Sequence, residues 1–455
     1  MIDTDAIRAA CAEIDEQTAI IRAALDTEPE PPEPPTDHVV VPDGGDLQAA
    51  LDAGGAVFLA EGAHFGGVTL REPSTLLVGA GGNTVDGGSS PAIIVPPTTH
   101  GFAVGQLTPR STGEVAVLLG RNDDQQASIE QVPVGVHLQL LTSSGHRGKR
   151  VIEVNAGDVH IVDADIRDAF DPEGQDSQAI CMLNAPGPLT VEGGHLEAAS
   201  EVFMCGGDAM KIPDCRPTGI TLRDVTLTRP LAWKDAGTPK VKNILELKDG
   251  HDVLIERCTL SHCWQSAQDG YAFMFTPTRG GSVRNVVVRD CTVRMVAGIV
   301  NITGIDDDAA TPPPRTQVAI YGGDYRTDPS MPGSGRFCLI GRGPEHFIVE
   351  GAYIDHHGSA FIDCSDKSPV DLLRVVGCTW NYGSYGIRIG GANHGDNAAG
   401  IVRQIVIEGN TISGAHSQFK SRYPNNTYVE SYVESSAHRR SIDWDDRVRR
   451  ARGAY

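Results

Sequence analysis

VHIVDADI (159–166), LTVEGGHL (189–196), ITLRDVTL (220–227), VLIERCTL (253–260), VVVRDCTV (286–293), VAIYGGDY (318–325), FIVEGAYI (347–354), LRVVGCTW (373–380) and IVIEGNTI (405–412) are one pattern written nine times. Each copy has an apolar residue, a second two positions on and a third five further, with successive starts 30, 31, 33, 33, 32, 29, 26 and 32 residues apart. A period this steady marks one supersecondary unit stacked many times.

The first and third residues of a copy alternate as in a strand with one buried face, and the last apolar residue follows a tight bend filled by Ala, Gly, Val, Cys or Asn. Most copies are preceded by another short strand, as in RVIEVNAG (150–157), NILELKDG (243–250), GIVNITG (298–304), SAFIDCSD (359–366) and YGIRIGG (385–391). Three short strands and three bends per repeat predict an all-β, right-handed parallel β-helix over 38–412. Neither a leucine-rich motif with a helical return nor the apolar stripes of a helical repeat is present. AVFLAEGAHF (56–65), TLLVGAG (75–81), AIIV (92–95) and VAVLLG (115–120) read as less regular first turns.

Such a stack exposes apolar rungs and unpaired edges at both ends and needs caps. GGDLQAALDAGG (44–55) predicts a short amphipathic helix over the first rung, with Asp46 as N-cap and Gly54 closing it. Residues 413–455 leave the pattern: SRYPNNTYVESYV (421–433) reads as a turn and an aromatic strand, and 440–455 as a charged helical tail.

Residues 1–26 are a different object. Ile7, Ile14 and Ile21 recur every seven residues, and Cys11, Thr18 and Leu25 recur between them, which are the d and a positions of a short coiled coil. Ile at d disfavours parallel dimers, so a homotrimer is expected; the alternative is one amphipathic helix lying on its own domain. TEPEPPEPPTD (27–37) then forms an extended polyproline stalk. A helix on a stiff stalk reads as an attachment device.

The first thirty residues lack the basic and apolar regions of a secretory signal, and no run approaches the ~18 apolar residues of a membrane span, so cytoplasmic folding without membrane insertion is expected. The ten cysteines agree, since Cys258, Cys291 and Cys378 share the bend position that Asn410 takes in the last copy and read as small reduced inward residues. A net charge of −21 argues against nucleic acid and anionic membranes as partners.

GQDSQAICMLNAPGPLTVEGGHLEAASEVFMCGG (174–207), PTGITLRDVTLTRPLAWK (217–234), KVKNILELKDGHDVLIERCTLSHCWQSAQDGYAFMFTP (240–277) and GIVNITGIDDD (298–308) resemble a bacterial family of right-handed parallel β-helix proteins in the pectate-lyase-like superfamily. VPDGGDLQAALDAGGAVFLAEGAHFGG (41–67) is similar to that family's opening. Where relatives carry an export signal, this chain has its helix and stalk, an arrangement that looks like a bacteriophage spike or fibre. The resemblance implies an N-terminal adaptor that plugs into other virion proteins, a trimeric β-helix that meets host cell-surface polysaccharide, and a place on the virion surface after assembly in the host cytoplasm. Residence in a bacterial cytoplasm, or export without a signal peptide, is the alternative.

Side chains pointing outward from the upstream strand of each turn stack in a column suited to an extended polysaccharide. Strand alternation places Glu153, Asn184, Glu246, Lys248, Met274, Thr276, Asn301, Thr303, Asp363 and Arg388 there. Glu246, Lys248, Asn301, Asp363 and Arg388 are the glycan-binding candidates, and as outward positions Glu246, Asp363 and Arg388 are expected to tolerate replacement by Ala with under about 0.5 kcal/mol of stability change. Glu246, Asp363 and Asp269 are the catalytic candidates, for a lyase or hydrolase. A glycosidase needs two carboxylates about 5 to 9.5 Å apart; Glu246 meets only Met274 on the next turn, so its partner is sought in the loops that hold Asp269 or Asp306, Asp307 and Asp308. Those three aspartates are also the candidates for a calcium ion; otherwise no cofactor is expected. YIDH (353–356) is a partial echo of a pectate-lyase element, but Ile354 is the third apolar residue of its copy and no Arg-x-Pro-x-x-Arg run exists. A virion component with a purely structural or decoration role is the remaining alternative.

Overall fold

The nine leading residues of the repeat form one column of register partners, running from Val159 through Leu189, Ile220, Val253, Val286, Val318, Phe347 and Leu373 to Ile405. The computed structural model describes residues 38–430 apart from 74, 238, 307–313 and 365–366. Within these, three long parallel sheets of 14, 12 and 11 strands (sheets A, B and C) and a three-stranded sheet near the front build a parallel β-helix. Each turn passes from sheet A through C to B and back. The leading column continues upstream to Val136 and Phe102, so the less regular first turns already keep the register of the repeat.

Inside the coil the apolar residues lie in ladders. The third apolar residue of each copy forms the inner column of sheet C, in which Ile166, Leu196, Leu227, Leu260, Val293, Tyr325, Ile354, Trp380 and Ile412 are all buried. Between sheets A and C the chain turns through a left-handed residue, Asp163, Asp224, Arg257 or Asp290 in four turns and Gly in most others. Asp and Gly tolerate that conformation; Arg257 is held there by a two-pronged pair with Asp224 at 2.9 and 2.7 Å. The next residue points inward. Cys258, Cys291 and Cys378 are buried free thiols that donate to the carbonyls of Leu222, Ile255 and Val349 one turn back. Asn410 uses its amide for the same bond, to Val375.

Sheet B departs from simple alternation. In several turns two consecutive apolar residues are both buried: Val151–Ile152, Ala179–Ile180, Val202–Phe203, Ile244–Leu245, Ala272–Phe273 and Phe337–Cys338. At one of these the amides of both Val202 and Phe203 donate to the Ile244 carbonyl, as in a β-bulge. Each such pair brings residues three apart, such as Arg150 and Glu153, to the same outer face, and so gives that face a second column.

The front cap is an α-helix, Leu47–Asp52, whose N-cap Asp46 accepts from the Ala49 amide and after which Gly54 is left-handed. Leu47 and Leu51 are buried, and Gln48 exchanges two hydrogen bonds with the Thr69 backbone of the first sheet B strand. At the back, Thr427–Val429 adds a last strand to sheet C, and a helix unforeseen in the sequence, Ser417–Arg422, seats Phe419 edge-on against Trp380 and Tyr382. The heptad of Ile7 to Leu25, the proline stalk and the 440–455 tail lie outside the described residues.

Candidate functional site

Register places Glu153, Cys181, Met204, Glu246, Met274, Asn301, Leu339, Asp363 and Arg388 in a single outer column of sheet B. Lys248 follows directly on the strand Leu245–Leu247, with its Nζ 3.6 Å from Glu246 Oε1. Room for it comes from Gly207, where a Cβ would lie 2.8 Å from Lys248 Cδ. Asn184 does not belong to the column, because Cys181 holds that rung. Asn184 lies beyond the strand and is buried, donating to the Arg121 and Gln126 carbonyls and accepting from the Lys211 amide. It anchors two loops.

The expected exposure of the two carboxylates fails. Glu246 and Asp363 face outward yet are buried, being covered by their own partners. Glu246 accepts from Asn243 Nδ2 at 3.3 Å and faces Lys248; Asp363 Oδ2 lies 3.3 Å from Arg388 and 3.5 Å from Arg336. They are also four rungs apart, about 19 Å at ~4.8 Å per strand, too far to act on one bond. Asp269 is exposed on the loop 264–270 and accepts from Gln265. Asp306 is buried and accepts the Gly280 amide at 2.6 Å, while Asp307 and Asp308 lie outside the described residues. Among the described residues no group of three or more His, Cys, Asp or Glu is placed to hold a metal.

The carboxylate neighbouring Glu246 is one that sequence reasoning missed. Glu201 stands on the preceding turn, brought to the outer face by the bulge at Val202–Phe203. It is fully buried, accepts from Gln178 Nε2 at 2.7 Å, and has Lys242 Nζ at 3.6 Å; Lys242 also holds Asp176 at 2.5 Å. Burial first, and then the neighbouring Glu246 carboxylate, push the Glu201 carboxyl up to about 7, against the opposing pull of Lys242. Burial alone would lower the Lys242 ammonium, but Glu201 and Asp176 outweigh it and hold it above the ordinary lysine value. Cys181, next in the column, has its thiol pushed up to about 12 by burial and stays an unreactive thiol at neutral pH.

Arg229 fixes this corner from inside. It is fully buried and donates to the carbonyls of Ala198, Ala199, Ser200 and Asn243. Those bonds tie the residues just before Glu201 to the turn that carries Asn243 and Glu246. Asn243 in turn donates to Gln268 Oε1 at 2.5 Å, which links loop 264–270 to the pair. The corner can therefore keep a proton on Glu201 near neutrality beside a second carboxylate, the division of roles seen in acid–base pairs.

The sequence signal for Glu201 was the apolar doublet after it. Read with strict alternation, EVFMC (201–205) puts Glu201 and Met204 on opposite faces; counted with two inward residues, it puts both outside.

No protein-family model and no curated protein matches this chain. Among solved structures, it is similar to the tailspike protein gp49 of Acinetobacter baumannii bacteriophage Fri1, a capsular polysaccharide depolymerase, with 14% identity over 88% of this chain and 62% of that one and a TM-score of 0.42. Geobacillus virus E2 ORF18 gives 14% identity, coverage of 73% and 61%, and a TM-score of 0.45. The A-module of the Azotobacter vinelandii mannuronan C-5 epimerase AlgE6 gives 13% identity, coverage of 80% and 94%, and a TM-score of 0.37. This chain thus spans about three-fifths of the length of the two phage proteins. The register of its three parallel sheets makes the chain a parallel β-helix.

Proposed function

We propose that this protein is a bacteriophage virion spike or fibre whose β-helix attaches to host-surface polysaccharide. The observation that carries the reading is the outer face of sheet B, where Glu153, Glu246, Asn301, Asp363 and Arg388 stand in one register column, spaced by Cys181, Met204, Met274 and Leu339, with Arg150 and Lys248 beside it. A straight array with a ~4.8 Å repeat suits an extended chain of sugars better than a compact ligand. The heptad and stalk read in the sequence of residues 1–37 support a homotrimer anchored to other virion proteins, and on this reading the β-helix belongs to the virion surface. Purified full-length protein should adsorb to host cells and to isolated host polysaccharide, and should fail on cells stripped of that polysaccharide. Equal adsorption to both kinds of cell would overturn the reading.

A second reading, a polysaccharide depolymerase, is favoured by the Glu201–Glu246 corner. Both carboxylates are buried, so this reading requires Lys242 and Lys248 to move aside; a protonated Glu201 would then serve as general acid and Glu246 as base or nucleophile, which is the chemistry of a hydrolase. Hydrolysis releases reducing ends without unsaturation, whereas a lyase releases an unsaturated sugar that absorbs in the ultraviolet. Release of neither kind of fragment by the intact protein would leave attachment alone, and absence of adsorption as well would leave a structural or decoration role.

A further inference from the structure

The charges on the outer face of sheet B are sorted by depth. Side-chain exposure is 8% for Glu153 against 23% for Arg150, and 2% for Glu246 against 18% for Lys248. It is 8% for Asp363 against 27% and 30% for Arg336 and Arg388. Glu201 is likewise buried below Lys242. The exception is the exposed Asp176, which Lys242 engages directly. A ligand laid on this face therefore meets ammonium and guanidinium groups first, on a chain whose net charge is −21. At physiological ionic strength screening over ~8 Å confines the repulsion from the rest of the molecule, so the local cations decide what binds.

The sorting is strongest at the far end of the column. Arg336 and Arg388 share the single carboxylate oxygen Asp363 Oδ2, at 3.5 and 3.3 Å, which among the described residues leaves one positive charge in excess. The buried Nε atoms of both arginines have no hydrogen-bond partner. Beside them Tyr385 is 38% exposed, with the Arg388 guanidinium 5.5 Å from the centre of its ring. Two convergent guanidiniums are the usual receptor for a planar anion, and an exposed tyrosine offers a flat apolar surface to a sugar ring.

We infer that the glycan taken by this face is anionic, with one acidic group of the polymer seated between Arg336 and Arg388 and a neighbouring sugar against Tyr385. The inference rests on the attachment reading above and narrows it to a class of polysaccharide. The anionic group is a carboxylate or a phosphate, and the two are separated by chemistry on the ligand.

The test uses full-length protein and polysaccharide isolated from the host, presented intact, with its carboxyl groups reduced to alcohols, or with its phosphate removed, and dextran as a neutral polymer. Binding to intact polysaccharide should fall at least tenfold on one of the two treatments, and dextran should not bind. Arg388→Gln and Arg336→Gln should each weaken binding about tenfold, Arg388→Lys should recover part of it, and Tyr385→Ala should weaken binding to the intact polymer alone. Thermal midpoints of the variants separate loss of site from loss of fold, and the chemically treated polymers decide the matter if a variant unfolds. Undiminished binding after both treatments, with the Gln variants binding as wild type, would overturn the anionic inference and leave attachment standing. No binding to any form of host polysaccharide would overturn both.

Discussion

Glu201→Gln should make the protein more stable in mild alkali and leave it unchanged in mild acid. The Glu201 carboxyl sits at about 7 in the folded chain against an ordinary 4.5, so the folded state holds this proton more tightly than the unfolded chain does. Below about pH 4.5 the group is protonated in both states and costs nothing. As pH rises, the unfolded chain ionises first and stability declines until the folded carboxyl has ionised too, near pH 7, above which the loss is constant. A displacement from 4.5 to about 7, at about 1.4 kcal/mol per pH unit, corresponds to roughly 3 kcal/mol. Glutamine mimics the protonated acid and can still accept from Gln178 Nε2. Urea unfolding of wild type and variant at pH 5 and pH 8 measures the effect. The difference between the two proteins cancels the titrations that do not couple to Glu201, including His251 and His356, which burial lowers to about 4. Near-equal midpoints at pH 5 with a clear advantage for the variant at pH 8 are expected. A difference that does not change with pH would refute the claim that Glu201 keeps its proton near neutrality, and with it the acid role in the hydrolase reading.

Glu246→Ala and Asp363→Ala should lower stability by about 1–3 kcal/mol, read from urea unfolding, because each leaves a cation or amide facing a vacated buried site. Arg229→Met should cost about 3–5 kcal/mol by stranding buried carbonyls, and in hydrogen exchange the loss of protection should spread from 198–201 and 243. Thiol reagents should label the half-buried Cys215 in the native protein well before Cys258, Cys291 and Cys378, whereas denaturation should open all four; fast native labelling of the bend cysteines would mean that they do not point inward. Light scattering should give a trimer for the intact chain, and comparison with a chain lacking residues 1–37 locates the interface: a monomer in both refutes the trimer, and a trimer in both moves the contact to the β-helix.

Sheets A and C were legible in the sequence because alternation holds across the repeated octet, and the shifts in sheet C, after Ile166 and Val293, fall beyond its last residue. One residue inward and one outward, repeated at a fixed place in every copy, lets Val159, Ile161 and Ile166 stand for a whole turn. The bend was legible for the same reason, since only a small or amide side chain fits where Cys258, Cys291 and Asn410 lie. Sheet B was only half legible. The residues after the apolar doublets, Glu153, Glu246, Asn301 and Asp363, and Arg388 after Gly386–Ile387, fall where alternation puts them. Those before the doublets, Arg150, Gln178, Glu201 and Arg336, were hidden, because an extra inward residue reverses the count. Asn184 was misplaced because it follows the end of its strand. The cap helix Ser417–Arg422 gave little signal, with Phe419 its one buried apolar residue.

Depth was the property that the sequence could not carry. Whether an outward carboxylate is exposed depends on whether a long cation from the same or a neighbouring turn lies over it, and such pairs join residues from 2 to 41 positions apart, as with Lys248–Glu246 and Lys242–Glu201. Burial of these carboxylates changes their chemical meaning. An exposed Glu246 would be a contact for sugar hydroxyls. A buried one, packed beside Glu201, raises its neighbour's proton affinity and leaves the lysines and arginines as the groups a ligand touches. The same packing that makes Glu201 a candidate acid thus makes the surface above it cationic. Attachment and cleavage would then use different layers of one column: Arg336 and Arg388 would hold the polymer at the surface, and about five rungs away, on the order of 24 Å at ~4.8 Å per rung, cleavage would require Lys242 and Lys248 to move off the buried Glu201–Glu246 corner.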